Sequence, residues 1–197
     1  MAGGVKVRLS VMMFLQYAIW GAWLPLLWDL LTKAKGFDGT QVGNIFAVGA
    51  VGAIFGPFIA GQVADRWFST EKFLALSHLA GGVLAWNLAS VNEYSTFFYF
   101  PLVYSLIYSP TLALTNSLSF HHIQDRDRDF GKIRLWGTIG WIVAGLLVSR
   151  FAFDAPEASK DTAAWMFKMG ALSGVALGLY CFTLPNTPPV STGKKVT

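Results

Sequence analysis

An arginine, a threonine and a tryptophan stand at positions 134, 138 and 141, with Gly145 a turn further on. Steps of i, i+4, i+7 and i+11 put the four on one face of a helix. The guanidinium of Arg134 supplies a permanent cation and a fork of donors for hydroxyl or carbonyl oxygens. Thr138 adds a small hydroxyl, and Trp141 a flat surface for a ring. Leu135, Ile139, Ile142 and Leu146 make the opposite face aliphatic. Such a division suits a helix with one side on a cavity and the other against lipid or apolar neighbours. The plainer alternative is that Arg134 lies near a helix end and snorkels, its stem buried and its head in water.

Three further groups of residues deserve the same test. Gln16, Trp20 and Trp23 recur at helical spacing and set an amide beside two large aromatics, although tryptophan also serves as an interfacial anchor. Thr111, Thr115 and Ser119 share a face, with Asn116 beside them. Hydroxyls in apolar helices commonly bond their own backbone at i−4, whereas the Asn116 amide needs partners that lipid does not provide. The adjacent His121 and His122 raise a membrane metalloenzyme. The chain has only His78 besides them, and its single cysteine, Cys181, gives no Cys/His metal spacing, whereas a metal site needs three or four ligands and an ordering second shell. No residue pattern asks for a cofactor.

The elements that must position these side chains follow from composition. Of 197 residues, 54% are hydrophobic and only 13% charged, against roughly 25% charged in soluble domains; mean hydropathy is +0.48. Stretches between charges predict six transmembrane helices at about 9–31, 42–64, 73–91, 96–120, 133–153 and 163–184. The expected fold is an all-α integral membrane bundle over 1–184, followed by a polar, disordered tail over 185–197. About 15 residues separate Arg134 from Arg150, fewer than the about 20 needed to cross a bilayer, so one of the two reaches into the membrane zone. The net charge of +4 is explained by topology rather than nucleic-acid binding. Lys6, Arg8, Arg66, Lys72, Arg126, Arg128, Lys132, Arg134, Lys194 and Lys195 gather on one side, which puts both termini in the cytoplasm. In the second helix Gly52, Gly56 and Ala60 recur at intervals of four, a ridge that lets a neighbouring backbone approach. No carboxylate lies deep in any span, since Asp29 and Asp65 fall at helix ends. A proton-coupled carrier keeps a titratable group near its pathway, so for that function the group is missing here or lies elsewhere.

Gly61-Gln62-Val63-Ala64-Asp65-Arg66 follows the second span and resembles the glycine, aspartate and basic residue that major facilitator transporters carry there. That resemblance implies a gating role for Gly61, Asp65 and Arg66, with Asp65 latching helix ends. Trp67-Phe68-Ser69-Thr70 departs from the superfamily pattern. Phe14-Leu15-Gln16-Tyr17-Ala18-Ile19-Trp20-Gly21-Ala22-Trp23-Leu24, Phe37-Asp38-Gly39, Pro110-Thr111-Leu112-Ala113-Leu114, Ile133-Arg134-Leu135-Trp136-Gly137-Thr138-Ile139-Gly140-Trp141 and Thr183-Leu184-Pro185 together resemble the bacterial nucleoside/proton symporter family. The resemblance implies the N-terminal half of a carrier in the cell inner membrane, which moves nucleosides such as uridine or adenosine inward with protons. The substrate would sit near the bilayer midplane between two six-helix halves that rock against each other. Arg134, Thr138 and Trp141 would face the nucleoside, with Gln16 and Asn116 as further contacts. A C-terminal half, or a second copy of this chain, would complete the path and bring the proton-carrying acids. A carrier for a sugar, or a membrane scaffold that does not transport, remains an alternative.

Overall fold

The computed structural model describes residues 2–66, 68–153 and 160–189. Six long helices carry the fold: α1 (Ala2–Gly21), α2 (Gly39–Arg66), α3 (Thr70–Leu88), α4 (Tyr94–His122), α5 (Arg126–Phe153) and α6 (Lys160–Cys181). Five stretches are long and apolar enough to cross a membrane: Gly3–Ala34, Gly39–Ile59, Tyr94–His122, Arg126–Arg150 and Ala164–Cys181. Helix α3 is not among them. It spans 19 residues and carries Glu71, Lys72 and His78, which lower its hydropathy.

The first predicted span is not one helix. After α1 the chain tightens into a 3-10 turn, Leu24–Leu26, then a short helical piece, Leu27–Asp29, and a π turn, Leu30–Ala34. Pro25 accounts for the break, because it supplies no amide hydrogen and clashes with the preceding turn. Gly36, at φ 70°, closes the π turn in the left-handed conformation that glycine adopts without penalty. Lys35 ties this end down by donating to the Val91 carbonyl and the Asn92 side chain.

The helices pack as three intimate pairs, α1 with α5, α2 with α4 and α3 with α6, and the pairs join through α3–α4 and α1–α6 contacts. Each intimate pair closes over glycine. A Cβ on Gly52 would come 2.6 Å from the Ser105 backbone, and one on Gly56 would lie 2.8 Å from the Ser109 side chain. The ridge read from the sequence thus does bring α4 close, and α2 continues helically through Pro57. The Ala60 side chain lies outside the described residues. Two apolar clusters fill the bundle. One surrounds Phe97, Phe167, Leu31 and Val42; the other surrounds Met12, Met13, Leu118 and Leu177.

At the start of α4, Glu93 is the N-cap, and its carboxylate accepts from the Ser95 and Thr96 backbone amides at 3.0 and 2.9 Å and from both hydroxyls. The Ser95 hydroxyl, followed by the Thr96 amide, holds this carboxyl down at about 2. A carboxyl depressed in the folded state stabilises it above its ordinary range, and that contribution is lost as pH falls toward 2. The thermal midpoint of the wild type should therefore exceed that of Glu93→Gln at pH 7, with the gap closing as pH falls from about 4.5 toward 2.

The opposite end of the bundle is laced by polar contacts. Lys6 meets Asp129 at 2.6 Å, and Arg128 reaches the same carboxylate at 3.1 Å. Residues 185–189, expected to be disordered, instead return to the bundle. The Thr187 carbonyl accepts from the Thr70 amide at 3.0 Å, its amide donates to the buried Glu71 carboxylate at 2.9 Å, and its hydroxyl bonds His122 Nε2 at 2.8 Å. The free amides of the first turn of α3 explain the docking, since such groups must find partners when they are buried. Residues 190–197 lie outside the described residues.

Candidate functional site

Helix α5 begins at Arg126, so Arg134 lies about 12 Å along it at 1.5 Å per residue. It follows a charged first two turns, Arg126 to Lys132. Its guanidinium carbon stands 3.9 Å from the centre of the Tyr17 ring on α1, a cation held on an aromatic face. Among the described residues no carboxylate pairs with it, and it is half-buried. Gly137 keeps the place open: a Cβ there would lie 2.7 Å from Tyr17 Cδ2 and 2.8 Å from Arg134 Nη1. Thr138, one turn on, is exposed, as are Leu135, Ile142 and Leu146 on the aliphatic face.

Trp141 meets the edge of Trp20 at 6.2 Å and 86°. Trp20 in turn lies 5.3 Å from Tyr108, which stacks on Tyr104 at 5.4 Å and 13°. Aromatic rings thus run from α5 across α1 into α4. Beyond Trp20 they open on an apolar cavity of about 110 Å³ lined by Trp23, Phe97, Tyr104 and Phe167 among others.

Beneath the rings lies a polar layer. Gln16 is fully buried; its Nε2 donates to Thr111 Oγ1 at 2.9 Å, and its backbone carbonyl accepts from the Tyr108 hydroxyl at 2.6 Å. Gln16 Oε1 receives no hydrogen bond among the described residues. Thr115 and Ser119 donate to the carbonyls four residues back, at 3.0 and 2.8 Å, and Thr111 to that of Tyr108 at 2.6 Å. These hydroxyls donate within their own helix. Asn116 parts company with Gln16. It lies five residues beyond Thr111, about 7.5 Å down the axis, in a separate pocket with Phe120, His121 and Arg126.

The structure therefore brings Gln16, Arg134 and Trp141 together through Tyr17, Trp20 and Tyr108, leaves Thr138 open beside them, and sets Asn116 apart. Tyr17, Tyr104 and Tyr108 escaped the sequence reading. Their signal was adjacency to Gln16 for Tyr17, and i, i+4, i+7 spacing of the two other tyrosines with Thr111. Gly61 is exposed, and the side chains of Asp65 and Arg66 lie outside the described residues. His121 and His122 face each other edge-on at 4.9 Å, and among the described residues no three metal-ligating side chains cluster. The arrangement offers donors, an acceptor and ring faces, which suit the binding of a small polar molecule with a flat ring.

A family model for the nucleoside H+ symporters matches residues 3–197. YegT of Escherichia coli (strain K12) is 42% identical over 187 residues, which cover 95% of this chain and 44% of YegT. The nucleoside permease NupG of the same organism is 33% identical over 188 residues, covering 93% of this chain and 43% of NupG. The crystal structure of NupG superposes with a TM-score of 0.86 at 32% identity, over 98% of this chain and 47% of that one. The proton:xylose symporter XylE of the major facilitator superfamily, at 15% identity and a TM-score of 0.70, shows the shared fold alone. The chain spans about half the length of the curated relatives it matches. It is a helical membrane protein with the major facilitator fold, and it belongs to the nucleoside H+ symporter family, a family of carriers rather than enzymes.

Proposed function

We propose that the chain forms the N-terminal, six-crossing half of a carrier that moves nucleosides inward with protons across the cell inner membrane, with both termini in the cytoplasm. The observation that carries this reading is the Arg134 guanidinium seated on Tyr17, with no carboxylate partner among the described residues, and a run of rings that begins at Trp141. A half-buried cation where an apolar span begins is suited to a ligand that compensates its desolvation. A nucleoside brings carbonyl and hydroxyl oxygens for the guanidinium and Thr138, a base to lie against Trp141, and a donor for Gln16 Oε1. Helix α3 makes the sixth crossing; its Glu71, Ser77 and His78 are buried rather than offered to lipid. Gly61, Asp65 and Arg66 latch the helix ends, and a second half, or a second copy, supplies the proton-carrying acid and the rest of the site.

Uptake tests this directly. Cells co-expressing the chain with a C-terminal half from a relative such as NupG should accumulate labelled uridine, and a protonophore should abolish the accumulation. Uptake unmoved by the protonophore would remove the proton from the mechanism. Displacement of uridine by sugars would favour a sugar carrier.

A further inference from the structure

The pocket that holds Asn116 lies outside the cluster assigned to the nucleoside. Ala113, Asn116, Ser117, Phe120 and His121 line it from one side of α4, and Arg126 closes it from the first turn of α5. It is an open depression of the surface rather than an enclosed cavity, and beside it Phe120 stacks on Phe130 with centroids 4.2 Å apart.

Two of its polar groups lack a complement. Arg126 lies over the Phe120 ring at 5.5 Å and joins none of the ion pairs at this end among the described residues. Asp125 and Asp129 are engaged by Arg128 and Lys6, and Asp127, its neighbour in the same turn, makes no salt bridge with it. Asn116 Oδ1 is buried and has no donor among the described residues. A buried acceptor left open is costly, so the pocket gains from a ligand that carries a hydroxyl. The cation gains from an anion, and an arginine fork suits phosphate in particular. Ser117 and His121 add two polar groups between these ends.

We propose that this pocket is a second binding site, for a phosphate ester that also bears hydroxyl groups: the phosphate on Arg126, a hydroxyl on Asn116. Two sources carry that chemistry here. A nucleoside 5′-monophosphate would reach the pocket from water, and the glycerol phosphate headgroup of phosphatidylglycerol would reach it from the membrane interface at which α5 begins. The site goes beyond the nucleoside-carrier reading and stands whether or not that reading holds.

The test uses the whole chain in nanodiscs, with uridine 5′-monophosphate and inorganic phosphate titrated by calorimetry in phosphatidylcholine, and with lipid retention from mixed nanodiscs followed by native mass spectrometry. For a soluble ligand, uridine 5′-monophosphate should bind at least tenfold more tightly than phosphate. Arg126→Gln and Asn116→Leu should each weaken it at least tenfold. For a lipid, wild type should retain phosphatidylglycerol over phosphatidylcholine, and both variants should lose that preference. Arg126→Gln should keep the wild-type thermal midpoint, and, co-expressed with a C-terminal half from the family, it should bind uridine as the wild type does, which separates this site from the one at Arg134. Binding of neither probe, equal binding by wild type and both variants, or phosphate as tight as the ester would overturn the proposal.

Discussion

Gly140→Ala is expected to lower the thermal midpoint of the chain clearly, and Gly140→Val to prevent assembly of the bundle. Helix α5 touches α1 backbone to backbone at this residue. A Cβ on Gly140 would overlap the Phe14 carbonyl oxygen and lie 2.8 Å from its carbon and 3.0 Å from its Cα. None of these atoms can rotate away. Nor can α1 shift as a whole, because Gly21 is pressed against the Trp141 backbone, where a Cβ would lie 2.8 Å from Cα. Overpacking of this kind costs about 1–3 kcal/mol and at times more, against a total stability of about 5–15 kcal/mol. Gly145 supplies the control. A Cβ there would lie 3.5 Å from the Gly21 carbonyl oxygen, ordinary contact, and alanine is the better helix former by up to about 1 kcal/mol. Tryptophan-fluorescence melts of purified protein should show Gly140→Ala falling while Gly145→Ala holds or rises. Equal behaviour of the two variants would contradict the packing account.

Arg134→Ala is expected to cost the carrier at least a decade of uridine affinity, or about 1.4 kcal/mol, with Arg134→Lys in between. Alanine removes charge, donors and ring contact together. Lysine keeps a cation over Tyr17 but loses the planar fork that meets two acceptors at once. Tyr17→Leu, which leaves the guanidinium without its platform, should resemble the lysine variant rather than the alanine one. A melt of Arg134→Ala that stays near the wild type would show that the loss belongs to the site and not to the fold.

Most of the architecture was legible because the bilayer dictates it. Apolar runs between charges fixed where the helices lie, and small residues at intervals of four in α2 announced the contact with α4. What stayed hidden needed the third dimension. Pro25 turned a continuous apolar run into four pieces, since hydropathy is blind to a missing amide hydrogen. Residues 185–189 read as a solvated tail by composition, yet the first-turn amides of α3 and the Glu71 carboxylate give Thr187 better partners than water. At the site, spacing placed Arg134, Thr138 and Trp141 on one face but was silent on the Tyr17 platform, which belongs to another helix. Asn116 and Gln16 each read as an amide in an apolar span. Only the structure showed that Gln16 is tied to Thr111 inside the bundle while Asn116 lines an opening beside Phe120 and Arg126.

The nucleoside site is tested most directly by calorimetric titration of uridine into this chain co-expressed with a C-terminal half from the family, wild type beside Arg134→Ala. The account predicts that the wild type binds and that the variant binds at least tenfold more weakly. Equal binding by the two would reduce Arg134 to a snorkelling residue, and no binding by a correctly assembled wild type would contradict the nucleoside site itself.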